Sequence, residues 1–224
     1  MGYKNLEITP YYETELGKLY HGDCLEIMPE LEPVDLVLTD PPYGIGEARN
    51  KNESRSFFAE SKAYPIESWD DNPPPPEYFK QVFSISKNQI LFGANYFIDN
   101  LYPTPCFLIW NKDNGNTDFA DCEIAWTSFK TATRIIRYRW HGMLKEAPEK
   151  RFHRNQKPAG LFVWILNKYG EIDWTTLDTH IGSGTTAVAC ERLNRRWIGI
   201  EIEEKYCEIA AKRIKLERKQ LKLF

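Results

Sequence analysis

The chain has 224 residues, 42% of them hydrophobic and 27% charged, a globular composition with room for one domain over residues 1–224. A net charge of −3 and a pI near 5.9 exclude a protein that holds nucleic acid by overall positive charge, so any such contact needs a local basic patch. No run of 18 apolar residues is present, so no membrane contact is expected. Met1 to Glu13 lack the apolar heart of a signal peptide, and a cytoplasmic chain is expected. The five cysteines, Cys24, Cys106, Cys122, Cys190 and Cys207, show no metal-binding spacing and suit buried thiols, so no metal is expected.

In chain order, residues 19–21 form a short strand-like run ending at Gly22-Asp23, and residues 24–31 have helical spacing. Residues 35–39 (DLVLT) are a nearly continuous apolar run, the mark of a buried parallel strand. The run stops at Asp40-Pro41-Pro42-Tyr43. Residues 44–76 are rich in Gly, Asn, Ser and Pro and read as a long mobile loop. A helix over 77–86 follows, then strands at 89–92, 106–110 and 123–129. A helix is expected over 156–168, a strand at 175–178, a helix over 185–193, a strand at 197–202 and a charged amphipathic helix over 203–219. Strands alternating with helices predict an α/β fold: a mostly parallel sheet covered on both faces.

Two motifs follow apolar strands, where open α/β sheets bind their ligands. In the first, the Asp40 carboxylate and the Pro41 carbonyl can accept from the two N–H groups of an aromatic amine and draw its nitrogen toward tetrahedral geometry. Pro41 and Pro42 stiffen that backbone, and Tyr43 offers a face for an extruded base. In the second, Asp178 leads into Gly182-Ser183-Gly184-Thr185, a glycine loop opening a helix, which lets a ligand approach the backbone closely. Glu201 stands 19 residues after Gly182, at the end of the next strand, a spacing suited to ribose hydroxyls. That pairing suggests an adenosine-containing cofactor without separating NAD from S-adenosylmethionine.

Taken together, Gly22-Asp23, DPPY, Gln156-Lys157-Pro158, GSGTT and IGIEI resemble the DNA amino-methyltransferases, over about residues 19–215. The order, with DPPY before the glycine loop, is that of the permuted beta group. The resemblance implies a Rossmann-like methyltransferase fold with permuted connectivity, S-adenosylmethionine as cofactor and DNA as substrate. It implies that Asp40, Pro41, Pro42 and Tyr43 hold the target base. Asp178, Gly182, Ser183, Gly184 and Thr185 would line the methionine end of the cofactor, Glu201 its ribose and Asp23 its adenine, with Lys157 closing the pocket. The family's Ser-Pro-Pro pattern for cytosine N4 makes Asp40 favour adenine N6. Cytosine N4 methylation and a catalytically silent cofactor-binding DNA module are the alternatives. A homodimer and a cognate restriction endonuclease are partners compatible with the family, in a bacterial or phage setting.

The sequence departs from the family at Thr179-His180, where Pro-Phe is usual, and at His153-Arg154-Asn155, where His-Pro-Thr is usual. His180 reads equally as a ligand contact or a solvated loop residue. Residues 130–157 hold nine basic against two acidic residues, a local +7 in an acidic chain, with Tyr138, Trp140 and Phe152 between them. This segment is the expected target-recognition and phosphate-contact surface, with Arg134, Arg137, Arg139, Lys150, Arg151 and Arg154 as DNA contacts. The basic residues of the last helix, Lys212, Arg213, Lys215, Arg218 and Lys219, read as a solvated face.

Overall fold

Successive residues of a strand point to opposite sides, so a sheet covered twice must be apolar at every position. The central strands meet that demand. The computed structural model describes residues 8–46, 72–115, 120–141, 144–145, 149–152 and 155–221. Leu36 and Leu38 face one core and Val37 the other; Ile90 and Phe92 face one and Leu91 the other, all of them buried.

The elements are β1 (Tyr12–Glu13), β2 (Gly17–His21), α1 (Cys24–Ile27), β3 (Val34–Thr39), α2 (Pro76–Ile85), β4 (Ser86–Phe92), β5 (Phe107–Asn111), β6 (Cys122–Thr127), β7 (Arg134–Arg137), β8 (Trp140–His141), β9 (Leu144–Lys145), α3 (Ala159–Tyr169), β10 (Thr175–Asp178), α4 (Thr185–Arg192), β11 (Arg196–Glu201) and α5 (Glu204–Leu221). Nine strands form one sheet in the order β1-β2-β11-β10-β3-β4-β6-β5-β7, and β8 and β9 form a separate ribbon. From β2 to β4 the neighbours are parallel; β6 runs antiparallel to β4 and β5, and β7 parallel to β5. Helices α3, α4 and α5 cover one face through Leu161, Ile165, Val188 and Ile214, and α1 and α2 cover the other through Ile27, Tyr78, Phe79 and Val82. Each such fully buried side chain contributes about 1.5–3 kcal/mol. The expected fold class holds.

Several boundaries differ from expectation for local reasons. The helix expected over 24–31 ends at Ile27 and tightens into a 3₁₀ turn, Met28–Glu30, because Pro29 has no N–H for the α ladder. The helix expected from Gln156 starts at Ala159. Pro158 is its N-cap and disfavours helical backbone at Lys157 before it, so Gln156 and Lys157 precede the helix. Strand β4 starts at Ser86, three residues early, and β1, β7, β8 and β9 were not foreseen. Of the expected loop over 44–76, residues 47–71 lie outside the described residues. The two ends of the loop touch: a Cβ on Gly44, at φ +72°, would lie 2.5 Å from Pro73 Cδ.

The antiparallel turn to β6 has a functional consequence. It brings the start of β6, with Glu123, to the same edge of the sheet as the end of β3, with Asp40.

Candidate active site

Strands β3 and β10 are hydrogen-bonded neighbours, so the segments that follow them leave the sheet side by side. Between them lies a cavity whose lining includes Asp40, Pro41, Pro42 and Tyr43 on one side and Asp178, His180, Gly182, Ser183 and Thr185 on the other. Gln156 and Lys157 also line it. Of the expected catalytic and cofactor-binding residues, Asp23, Gly184 and Glu201 stand outside that lining.

At the β3 end, Lys157 reaches the Asp40 carboxylate with an ion pair to Oδ2, and the same ammonium lies 3.0 Å from Glu123 Oε2. Lys112, just past β5, lies 2.7 Å from the other Glu123 oxygen. Tyr43 Oη donates to Asp40 Oδ1, with Glu123 at 3.4 Å and Lys157 at 3.3 Å. Asp40, Glu123, Lys157 and Lys112 thus form a chain of alternating charge. The Lys157 side chain is only 6% exposed, so its charge demands compensation. Burial alone would depress the Lys157 ammonium, but Asp40 and Glu123 override it and hold it above its ordinary value. Burial likewise opposes ionisation of Glu123, yet Lys157 and Lys112 pull that carboxyl down to about 2. Burial holds the Asp40 carboxyl above its ordinary value, although Lys157 draws it part of the way back.

Tyr43 is fixed from behind. Its ring stacks on Tyr96 at 4.9 Å with planes 16° apart, and Phe97 meets it edge-on. Gly93 makes room: at φ +77° it accepts a backbone most residues avoid, and a Cβ there would lie 2.2 Å from Tyr43 Cε1.

At the β10 end the carboxylates have dipoles for partners. Asp178 receives Thr186 Oγ1 on Oδ2 and the His180 amide on Oδ1 at 3.1 Å. Buried with no basic side chain among these partners, its carboxyl is pushed up to about 6. Glu201 accepts the Gly182 amide at 2.8 Å and the Glu203 amide at 2.9 Å, and burial raises its carboxyl to about 7. Glu201 therefore shapes the glycine loop directly. Asp23 caps α1, its side chain accepting from Leu25 N at 2.8 Å, and Gly22 N bonds Glu201 O at 2.9 Å, so the two acids neighbour each other along the edge. Gly182, at φ +52°, faces open space, whereas a Cβ on Gly184 would meet Ala210 Cβ at 2.9 Å. Gly184 thus serves the packing of the loop on α5.

The solvated reading of His180 is corrected. The ring lines the cavity, lies 3.0 Å from Thr179 Oγ1 and packs edge-on against Tyr78. Burial lowers its pKa to about 4, so it is neutral. Thr179, the other departure, bonds both Thr39 and Tyr78.

The solvated reading of the last helix is corrected at Arg213, which is 7% exposed. Arg213 donates to Ser183 O at 2.6 Å and to Glu149 Oε1 at 2.7 Å. Glu149 in turn accepts the Ala159 amide, and Gln156 bonds Lys150 O, the Phe152 amide and Ser183 Oγ. This stitching fixes the Gln156-Lys157 element against the glycine loop. Arg218 is also drawn in, pairing with Glu191 and Glu15.

Of the expected DNA contacts, Arg134 and Arg137 are exposed on β7, the edge strand, and Arg137 ends it on the side of the cavity. Arg139 is exposed and paired with Asp113 at 2.5 Å. Lys150 is exposed over the Phe152 ring, and Arg151 is half-buried over Trp140. Arg154 lies outside the described residues.

Glu123, Lys112, Gly93 and Tyr96 carry no motif that marks them in the sequence as site residues. Glu123 had one available signal, an acid opening a strand that is otherwise mostly apolar, CEIAWT.

Comparison with known proteins supplies the context. The family model N6_N4_Mtase, described as DNA methylase, matches residues 98–212, just over half of the chain. Type II methyltransferase M2.DpnII of Streptococcus pneumoniae is 25% identical over 253 residues, covering 93% of each protein. Type II methyltransferase M.HinfI of Haemophilus influenzae is 25% identical over 252 residues, covering 89% of this chain and 68% of the relative. Among solved structures, the M1.HpyAVI–SAM complex aligns with a TM-score of 0.61 and 24% identity over 89% of this chain and 99% of that one. The cytosine-N4-specific PvuII DNA methyltransferase aligns at 0.63 with 19% identity, over 93% and 90%. These likenesses agree with the Rossmann-like sheet described above.

Proposed function

The chain belongs to the N6/N4 DNA methylase family, and from that premise we propose that it transfers a methyl group from S-adenosylmethionine to the N6 amine of adenine in DNA. One observation carries the reading: DPPY and the glycine loop, separate in sequence, line a single cavity beyond adjacent parallel strands.

The residues suit the cofactor. Asp178 is a buried carboxylate whose partners are a hydroxyl and an amide, and a cationic ligand is what such an acid lacks. Bound there, S-adenosylmethionine supplies a methyl group on a cationic sulfur. Asp178, Gly182, Ser183 and Thr185 hold its methionine end, and Glu201 and Asp23 its adenosine.

The chain's own residues handle the base. The target is turned out of the duplex and stacks on Tyr43, which Tyr96 buttresses. Asp40 and the Pro41 carbonyl accept from the amine's two N–H groups and aim its lone pair at the methyl carbon. Rate comes from this positioning and from the charge around the nitrogen. Arg134, Arg137, Arg139, Lys150, Arg151 and Arg154 supply phosphate contacts from the 130–157 segment.

Asp40 in place of serine favours adenine. The PvuII likeness favours the second reading, cytosine N4. Incubating the protein with labelled S-adenosylmethionine and unmethylated DNA, then separating the nucleosides, tests both. N6-methyladenine supports the proposal, N4-methylcytosine the second reading, and no methylated nucleoside a silent binding module.

A further inference from the structure

Glu123 belongs to none of the motifs that announce the site, yet it touches two members of the charged chain there, Lys157 at 3.0 Å and Lys112 at 2.7 Å, and lies 3.4 Å from Tyr43 Oη. The puzzle is Lys157. Its ammonium sits on the same carboxylate that would receive the target amine. An amine bonded to Asp40 therefore lies about 5 Å from the ammonium, two hydrogen bonds away through one carboxylate.

In the transfer, the amine nitrogen gains a bond to the methyl carbon while the carbon–sulfur bond breaks onto sulfur. The positive charge passes to the nitrogen, which then loses a proton toward Asp40 and solvent. A lysine ammonium about 5 Å away opposes that build-up of charge. It also neutralises Asp40, the group best placed to favour it.

We propose that Glu123 is a positioning residue that counters this opposition. It takes up the Lys157 charge, so that Lys157 can fix the Asp40 carboxylate while the three charges nearest the nitrogen, those of Asp40, Lys157 and Glu123, leave one negative charge over. Lys112 holds Glu123 in place from the side away from Lys157. Lys112, at the far end of the chain on the other Glu123 oxygen, brings the four charges of the free protein to balance. The inference rests on the methyl-transfer reading of Asp40.

The test uses the full chain, S-adenosylmethionine and DNA. Glu123→Gln keeps the shape and removes the charge. Its kcat should fall about 10- to 100-fold, as expected for one uncompensated charge near the reacting atom at an effective dielectric constant of about 20. Affinity for S-adenosylmethionine should stay within about threefold, because the glycine loop is untouched. Adding Lys157→Met then removes the charge that Glu123 countered, and the double variant should turn over at least about fivefold faster than Glu123→Gln alone. A purely structural role would make the second substitution additive or worse. The inference is overturned by a Glu123→Gln kcat within threefold of wild type, by loss of cofactor affinity in parallel with kcat, or by a double variant no faster than the single one. Wild type assayed alongside separates the two ideas: an inactive wild type refutes the methyl-transfer reading, while an active wild type with failed variants refutes only the role of Glu123.

Discussion

Asp40 and Glu123, toward the β6 side of the sheet edge, share the Lys157 ammonium; Asp178 and Glu201, one and two strands from β3 on the other side, are met by amides and a hydroxyl. The first pair is the more exposed, with side chains 21% and 22% accessible against 4% for Asp178 and 8% for Glu201. Between its two lysines Glu123 is held down at about 2, and Lys157 works against the burial that raises Asp40, while Asp178 and Glu201 rise to about 6 and 7. A buried acid stays charged beside a cation and tends to keep its proton among dipoles. The first arrangement suits a group that must act as an anion on a neutral amine. The second suits a group whose cation arrives with the ligand.

The comparison breaks most sharply at Asp40. Asp40→Ala should cut methyl transfer by about a thousandfold or more, since it removes the acceptor that aims the amine. Steady-state kinetics on DNA check this, and near-normal turnover would end the assignment.

Glu201→Ala should raise the Kd for S-adenosylmethionine about 10- to 150-fold, the worth of about 1.5–3 kcal/mol for hydrogen bonds to a charged group. Part of that loss would come from freeing the Gly182 amide. Calorimetry showing unchanged affinity would mean that Glu201 only shapes the backbone.

The dipole-held acids also predict a direction for stability. A carboxyl whose folded pKa is raised binds its proton more tightly folded than unfolded, so its contribution is lost as pH rises from the unfolded value to the folded one. Free protein should therefore lose stability between about pH 4 and 7, with Asp178 and Glu201 each contributing on the order of 3 kcal/mol at most. Glu123, with its lowered value, acts oppositely and only in acid, losing its contribution as pH falls from 4.5 toward 2. Urea unfolding at pH 5 and pH 8 should show a smaller drop for Asp178→Asn than for wild type. An identical drop would place the titration elsewhere.

The smallest expected effect lies away from both poles. Replacing Arg134, Arg137 and Arg139 with Ala should flatten the slope of log DNA affinity against log salt by about two to three units if all three meet phosphates. Cofactor affinity should hold. An unchanged slope would leave this edge of the sheet as a solvated face.

The sequence made the local parts of this arrangement readable. DLVLT running into DPPY, and TTLD running into the glycine loop, are each one buried strand followed by one unusual turn, so pattern and chemistry sit within ten residues. Contacts over long separations were not readable. Lys157 is 117 residues from Asp40 and Glu123 is 80 from Tyr43, and neither pairing leaves a trace in local periodicity. Arg213 looked solvated because its neighbours Lys212 and Lys215 are, yet its position on α5 points it at Ser183. Strand β7 was hidden by its own arginines: RIIR has a single buried residue and reads first as charge.

The central claim is that the two poles divide the work, the Asp40 end acting on the base and the Glu201 end holding the cofactor. The direct test measures N6-methyladenine formation and S-adenosylmethionine binding side by side for Asp40→Ala and Glu201→Ala. Asp40→Ala should bind cofactor within a few-fold of wild type and form no methylated base, while Glu201→Ala should bind weakly but recover methylation at saturating cofactor. Loss of cofactor binding in Asp40→Ala, or a Glu201→Ala protein that stays inactive at saturation, would contradict it.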